Sequence, residues 1–211
     1  MNIKILIPAC MVLMVLLFGA SNLAHSAQPM DELKGPVEQF IKILQDPQYS
    51  DASKKDLQRE KLWEVARKIF DFAAISRGTL TRFRWKSFTP KQRKDFTDVF
   101  TEFIGNTYFD KIQGEYHNEE IVFLNQEMLS ETKARVTTKI QREALEIPVD
   151  YSMWFRKGSW KIFNVYVEGV SLLGNYRNEF ERFLTKSSAD ELISELKKKI
   201  ERQKKGEGEA K

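Results

Sequence analysis

The 211 residues hold only three side chains of the kinds that most often act as soft metal ligands, thiol nucleophiles or neutral-pH bases: Cys10, His25 and His117. Two of the three lie inside a segment built as an export signal. Lys4 supplies a short positive start, Ile5 to Phe18 is almost wholly apolar, and small and polar residues follow, ending in Ala24-His25-Ser26-Ala27. That is the order of a secretory signal peptide. A spanning helix needs about 20 apolar residues, and Pro8 interrupts a run that is already shorter. Cleavage after Ser26 leaves a small residue, Ala24, third from the cut. Cys10, in Ile7-Pro8-Ala9-Cys10, comes before the apolar run is established, which argues against a lipid-acylated cysteine. The sequence therefore divides into a cleaved signal (1–26), a single domain (27–200) and a disordered basic tail (201–211).

Removal of the signal leaves no cysteine and one histidine. A zinc site, a cysteine nucleophile and a c-type haem motif then lack their ligands, and no metal or cofactor is expected. A Ser-His-Asp triad would have to use His117, which sits in the polar stretch Glu115-Tyr116-His117-Asn118 and reads as a surface-loop residue. An exported domain without disulfides suits the periplasm of a Gram-negative bacterium.

The carboxylates Asp71, Asp150 and Glu168 remain as possible acids or bases. Asp150 alternates with Tyr151, so the two point to opposite faces of a strand, and Asp150 reads as solvated. Glu168 stands at a strand end with Arg177 to follow, which suggests an ion pair rather than an acid catalyst. Phosphate-cradling glycine loops and nucleophile elbows are both absent. No catalytic residue is assigned. With 34 basic against 30 acidic residues the formal charge is only +4, a balance that predicts no nucleic-acid footprint.

What positions these residues is an order of helices, strands, then helices. Pro36 to Leu44 repeats Val37, Phe40, Ile41 and Leu44 at helical spacing. Ser53 is placed to cap a longer helix burying Leu57, Leu62, Val65, Ala66, Ile69, Phe70 and Ala73. Arg77 to Ser87 reads as irregular, basic and aromatic. Thr89-Pro90-Lys91-Gln92 is a capping box with proline at the first helical position, opening a helix with Phe96, Val99, Phe100, Phe103, Ile104, Thr107, Tyr108 and Ile112 on a broad face. Around Asn118 the period switches to alternation, with strands near Glu120–Glu127, Lys133–Arg142, Glu146–Arg156 and Trp160–Val170. Lys157-Gly158-Ser159 turns between the last two. Parity groups Ala134, Val136, Thr138 and Ile140 on the second strand. On the third it groups Ile147, Val149, Tyr151, Met153 and Phe155, and on the fourth Phe163, Val165, Val167 and Gly169. Ser188 with Glu191 caps a last helix. One α+β domain results, a curved antiparallel four-stranded sheet packed against several helices.

Four tryptophans, six tyrosines and fifteen phenylalanines are more bulk than a small sheet needs. A filled core and an apolar cavity produce the same periodicity, so pattern alone leaves both open.

Several separated motifs are more specific. Glu168 to Arg177 reads EGVSLLGNYR and leads into Asn178-Glu179-Phe180, with Trp160-Lys161-Ile162-Phe163-Asn164-Val165 upstream. Phe70-Asp71-Phe72, Ile75-Ser76-Arg77 and Trp85-Lys86-Ser87-Phe88-Thr89-Pro90-Lys91-Gln92-Arg93, with Phe96 and Phe100, precede them in order. Over about residues 35–200 the chain resembles the MlaC, or toluene-tolerance, family of periplasmic phospholipid-shuttle proteins. It departs in two places. Leu80-Thr81 or Thr81-Arg82 stands where the family often has Leu-Gly, and Asn164 stands where an aspartate is frequent.

The resemblance implies a non-enzymatic carrier holding acyl chains in an apolar cavity between sheet and helices, with the phospholipid as cargo. The implied partners are an outer-membrane lipoprotein complex and an inner-membrane ABC transporter with its MCE-domain protein; the carrier itself is expected to be a monomer. Parity and the family's design together nominate Phe96, Phe100, Phe103, Tyr108, Val136, Val149, Tyr151, Met153, Val165 and Val167 as tail-lining. Val170, Leu172, Leu173 and Tyr176 would border the mouth. Arg82, Arg84, Lys86 and Lys91, beside Trp85, are the head-group or partner candidates. Two other classes remain: an acid-base enzyme on a similar scaffold, which would need an ionisable group such as Glu168 inside the pocket, and a ligand-free interaction module packed solid.

Overall fold

The computed structural model describes residues 28–142 and 145–206. The segment read as a signal, with Cys10 and His25, and the last five residues of the chain lie outside the described residues. Among the described residues, seven α-helices and five strands follow in the order helices, sheet, helices.

Helix α1 (Pro29–Gln45) begins earlier than its apolar repeat suggests, with Pro29 in the first turn and Pro36 within the helix. Ser53 caps nothing. The Asp51 carboxylate instead accepts from the Ser53 amide at 2.8 Å and opens a 3-10 turn (Ala52–Lys54) that leads into α2 (Lys55–Ile69). The long second helix expected through Ala73 is broken. Phe70 is extended, Asp71 donates its amide to the Ile162 carbonyl at 2.8 Å, and the Asp71 carboxylate caps α3 (Phe72–Gly78) by accepting from Ala74 at 2.9 Å. A tertiary contact to the sheet edge thus overrides a local pattern that would continue the helix. The stretch read as irregular contains α4 (Arg82–Ser87), capped by Thr81.

The capping box at Thr89 is present: Thr89 Oγ accepts from the Gln92 amide, and the Gln92 side chain accepts from the Thr89 amide. It opens α5 (Pro90–Glu115), 26 residues long. At about 1.5 Å per residue this helix runs roughly 39 Å and serves two neighbourhoods. Its first half stacks Phe96, Phe100 and Phe103 against α6 (Leu172–Leu184) and α7 (Ala189–Lys204), through Tyr176, Phe180, Leu184, Leu192 and Leu196. Its second half turns Gly105 and Phe109 toward α2, where a Cβ at position 105 would collide with the Trp63 ring. The second capping box is also present, Ser188 with Glu191. Helix α7 continues to Lys204, four residues into the stretch read as tail.

The sheet is antiparallel throughout, in the order β1 (Glu120–Ser130), β2 (Lys133–Arg142), β3 (Leu145–Arg156), β4 (Ser159–Val167) and β5 (Val170–Ser171). The last strand expected through Val170 is in fact two. Glu168 and Gly169 take φ of 52° and 78° and fold the chain back, so Gly169 belongs to a turn. A bulge also interrupts the parity of β4. Ile162 pairs with Met153 and Asn164 with Ser152, leaving Phe163 extra. An inserted residue shifts the alternation that follows it. Trp160 and Ile162 are therefore buried before the bulge, and Val165 and Val167 face the interior after it. Phe163 does not share their face; its ring lies 4.9 Å from that of Trp154.

Candidate functional site

Between the inner face of the sheet and helices α1, α2, α3, α5 and α6 lies a cavity of about 510 Å³, within the range of roughly 300–1,000 Å³ usual for ligand sites. Leu33, Val37 and Phe40 of α1 wall it, with Ala66 and Ile69 of α2, Phe70, and Phe72 and Ile75 of α3. Ile104, Gly105, Tyr108, Phe109 and Ile112 contribute from α5. Ile121, Ile140, Tyr151, Ile162, Asn164, Val165 and Val167 contribute from the sheet, and Val170, Leu172, Leu173 and Asn175 form the rim leading into α6. Among the described residues no Asp, Glu, Lys, Arg or His lies on the wall. The opening is itself apolar, with Val167 44% and Val170 65% exposed.

Of the nominated residues, Tyr108, Tyr151, Val165, Val167, Val170, Leu172 and Leu173 lie on this wall. The other seven do not. Phe96, Phe100, Phe103 and Tyr176 belong to the closed core between α5, α6 and α7. A helix that is apolar on two sides packs one of them solid, and spacing cannot say which. Val136, Met153 and Val149 point inward from the sheet but are covered; the first two pack with Leu33, Ile69 and Trp160. The contribution of α1, α2 and α3 was not anticipated. The apolar repeats at Leu33, Val37 and Phe40 and at Ala66 and Ile69 were the available signal, though a repeat marks a buried face without saying what it faces.

The basic candidates are not on the wall. Arg84 pairs with Glu181 at 3.4 Å and Lys91 with Asp95 at 2.5 Å, while Arg82 and Lys86 are exposed. Glu168 is exposed in the turn after β4, and Arg177 donates to the Gly78 carbonyl, at 2.9 Å from Nε, instead of pairing with it. An acid-base role at Glu168 has no geometry behind it. Asp71 is a helix cap, and Asp150 is half-buried opposite Tyr166.

Four polar side chains do reach the wall, each with a structural use or an exposed position. Asn164, 7% exposed, donates from Nδ2 to Ser171 Oγ at 2.9 Å and accepts from the Leu173 amide at 3.1 Å. Ser171 Oγ in turn accepts from the Gly174 amide at 2.9 Å, so β4 holds the first turn of α6 and with it the rim. An aspartate here could accept but not donate, and it would bring charge to an apolar wall. Asn164→Leu should therefore leave the half-buried Leu173 amide and Ser171 hydroxyl without their Asn164 partner, at about 1–3 kcal/mol, and loosen the rim. A lower melting temperature with faster ligand loss is the expected result; an unchanged melting curve would contradict the role.

Tyr108 hydrogen-bonds Tyr176, and Tyr151 hydrogen-bonds Thr138. Burial pushes both phenols above the ordinary 10.0, against the smaller opposing effect of those bonds. A phenol raised in the folded state stabilises fully below its unfolded value, and that contribution is lost as pH rises through the raised one. Alkaline titration followed by phenolate absorbance should thus show these two ionising late, with stability falling above about pH 10. All six tyrosines titrating together at the ordinary value would contradict the burial. Asn175 is exposed at the rim.

Known proteins of similar sequence and shape agree with this architecture. A chain of 24% identity over 180 residues, covering 84% of this protein and 83% of the relative, is the toluene tolerance protein ttg2D of Pseudomonas putida. A phospholipid-binding protein from Ralstonia solanacearum, solved in complex with a phospholipid, superposes with a TM-score of 0.72 at 18% identity, covering 84% of this chain and all but 1% of its own. That likeness establishes the α+β fold. The family model described as MlaC protein matches residues 34–198, running from the first cavity-lining helix through most of α7, and on that match the chain belongs to the MlaC protein family.

Proposed function

We propose that this protein is a periplasmic phospholipid carrier whose cavity holds the acyl chains and leaves the head group at the Val167–Val170 rim. The observation that carries the reading is an open cavity of about 510 Å³ walled, among the described residues, without a single charged side chain. Membership of the MlaC family and the phospholipid complex of the Ralstonia solanacearum protein support lipid as the ligand. The signal-like residues 1–26 support export, and the carrier would exchange lipid between an inner-membrane ABC transporter with an MCE-domain protein and an outer-membrane lipoprotein complex.

Energetics explain why a carrier is needed. Burying a methylene contributes about 0.8 kcal/mol, so a lipid with roughly 30 of them costs on the order of 24 kcal/mol to place in water. That exceeds the ceiling of about 18–21 kcal/mol for non-covalent affinity. A dry cavity replaces one apolar surrounding with another, and the transfer step becomes nearly neutral. The work is binding and exchange, with no bond made or broken.

Native mass spectrometry of protein purified from the periplasm tests the reading. One phospholipid per chain is the expected mass; a bare protein mass over repeated preparations would overturn it.

A further inference from the structure

Residues 72–94 contain seven basic side chains and no acidic one, in a chain whose charges otherwise nearly balance. Three of the seven are neutralised: Arg84 by Glu181, Lys91 by Asp95 and Lys94 by Asp98. Arg77, Arg82, Lys86 and Arg93 have no carboxylate within salt-bridge distance among the described residues. Arg93 uses its guanidinium to hold α4 in place, donating to the Trp85 carbonyl at 2.8 Å and the Lys86 carbonyl at 3.0 Å. From the helix so fixed projects Phe83, at 75% the most exposed large apolar side chain among the described residues, with Arg82 and Lys86 exposed beside it. Its neighbours Trp85 and Phe88 turn inward against the core of α5 and α6. The outward ring is therefore not a packing leftover of the same face.

We propose that this α3–α4 surface docks on an anionic phospholipid bilayer, with Phe83 entering the head-group layer and Arg77, Arg82 and Lys86 meeting lipid phosphates. A protein partner of ordinary affinity would need about 800 Å² on each side with an apolar centre of several residues. Here one ring stands alone among cations, which matches a fluid charged surface better than a shaped one. Basic residues near an anionic leaflet each strengthen attachment by about fivefold, and an aromatic ring anchors at the membrane–water interface. The position also suits lipid exchange. Helix α3 walls the cavity with Phe72 and Ile75, then ends at Gly78, where a Cβ would strike Leu173 of the rim, and α4 begins four residues later. As a step in exchange the inference rests on the carrier reading; as attachment it is measured separately.

Flotation of the protein purified from the periplasm with vesicles of phosphatidylcholine alone, and with vesicles also containing phosphatidylglycerol, is the test. Binding should require phosphatidylglycerol and weaken with added salt. Arg82→Gln with Lys86→Gln should weaken it by about 25-fold, and Phe83→Ser by about tenfold. Equal binding to both vesicle types, no binding to either, or unaltered binding by the variants would overturn the proposal. Capture by an acidic protein surface without vesicle binding would overturn it equally. Native mass spectrometry on the same wild-type preparation keeps the two ideas apart. Lipid-loaded protein that ignores anionic vesicles sinks the docking alone, and lipid-free protein that floats with them sinks the carrier alone.

Discussion

Phe100→Glu is expected to unfold the protein, not merely to empty its cavity. Phe100 is fully buried, with ring centroids 5.6 Å from Phe96, 5.1 Å from Tyr176 and 5.4 Å from Phe180. Truncating a core phenylalanine costs about 3–5 kcal/mol, and a carboxylate forced into that cluster adds the penalty of burying an uncompensated charge. Domains of this size hold about 5–15 kcal/mol in total. Loss of the cooperative thermal transition, or failure to recover soluble protein, is the expected outcome. A variant melting within a few degrees of wild type would show that the α5–α7 core is not closed. Phe100→Leu, which keeps an apolar side chain there, should remain folded.

Val165→Trp should do the reverse, keeping the fold while expelling the cargo. Val165 is half-buried, pairs across the sheet with Tyr151 and lies on the cavity wall. A larger ring there enters open space instead of a packed core, so the overpacking cost of about 1–3 kcal/mol is largely avoided while room for acyl chains shrinks. Lipid per chain, read by native mass spectrometry, should fall about tenfold or more, the effect of withdrawing one well-buried apolar contact, with the melting temperature nearly kept. Full lipid content in the folded variant would place the cargo somewhere other than this cavity. Together the two substitutions separate residues that hold the protein up from residues that hold its ligand.

Legibility from sequence follows how far each structural cause reaches along the chain. Thr89-Pro90-Gln92 and Ser188 with Glu191 were readable because a capping box is complete within four residues. The Lys157-Gly158 turn was readable for the same reason, its positive φ falling where a tight hairpin needs it. The four long strands were visible from alternation, but the shift within β4 was not, because the bulge at Phe163 is set by what Ser152 and Met153 do on the neighbouring strand. The helix break at Phe70 was hidden similarly, its cause being a backbone bond to Ile162 more than ninety positions away. On α5 the distinction that mattered, Phe96 and Phe100 against Tyr108 and Ile112, depends on which neighbour each stretch meets. Half the nominated lining consequently lies outside the cavity wall, even though every one of those residues packs inward.

The amide of Asp71 on the Ile162 carbonyl has a further consequence, for encounters between copies of the molecule. A bare β4 would present a row of unpaired backbone groups, a template for strand addition. Phe70 and Asp71 occupy one stretch of that border and the two-residue β5 another. The opposite border, β1, has no second strand partner among the described residues and relies on two register irregularities, near Leu124 and Leu129, to spoil its straightness. Self-association by intermolecular pairing, under conditions that loosen the protein without unfolding it, would therefore begin at β1 and leave the cavity side shielded.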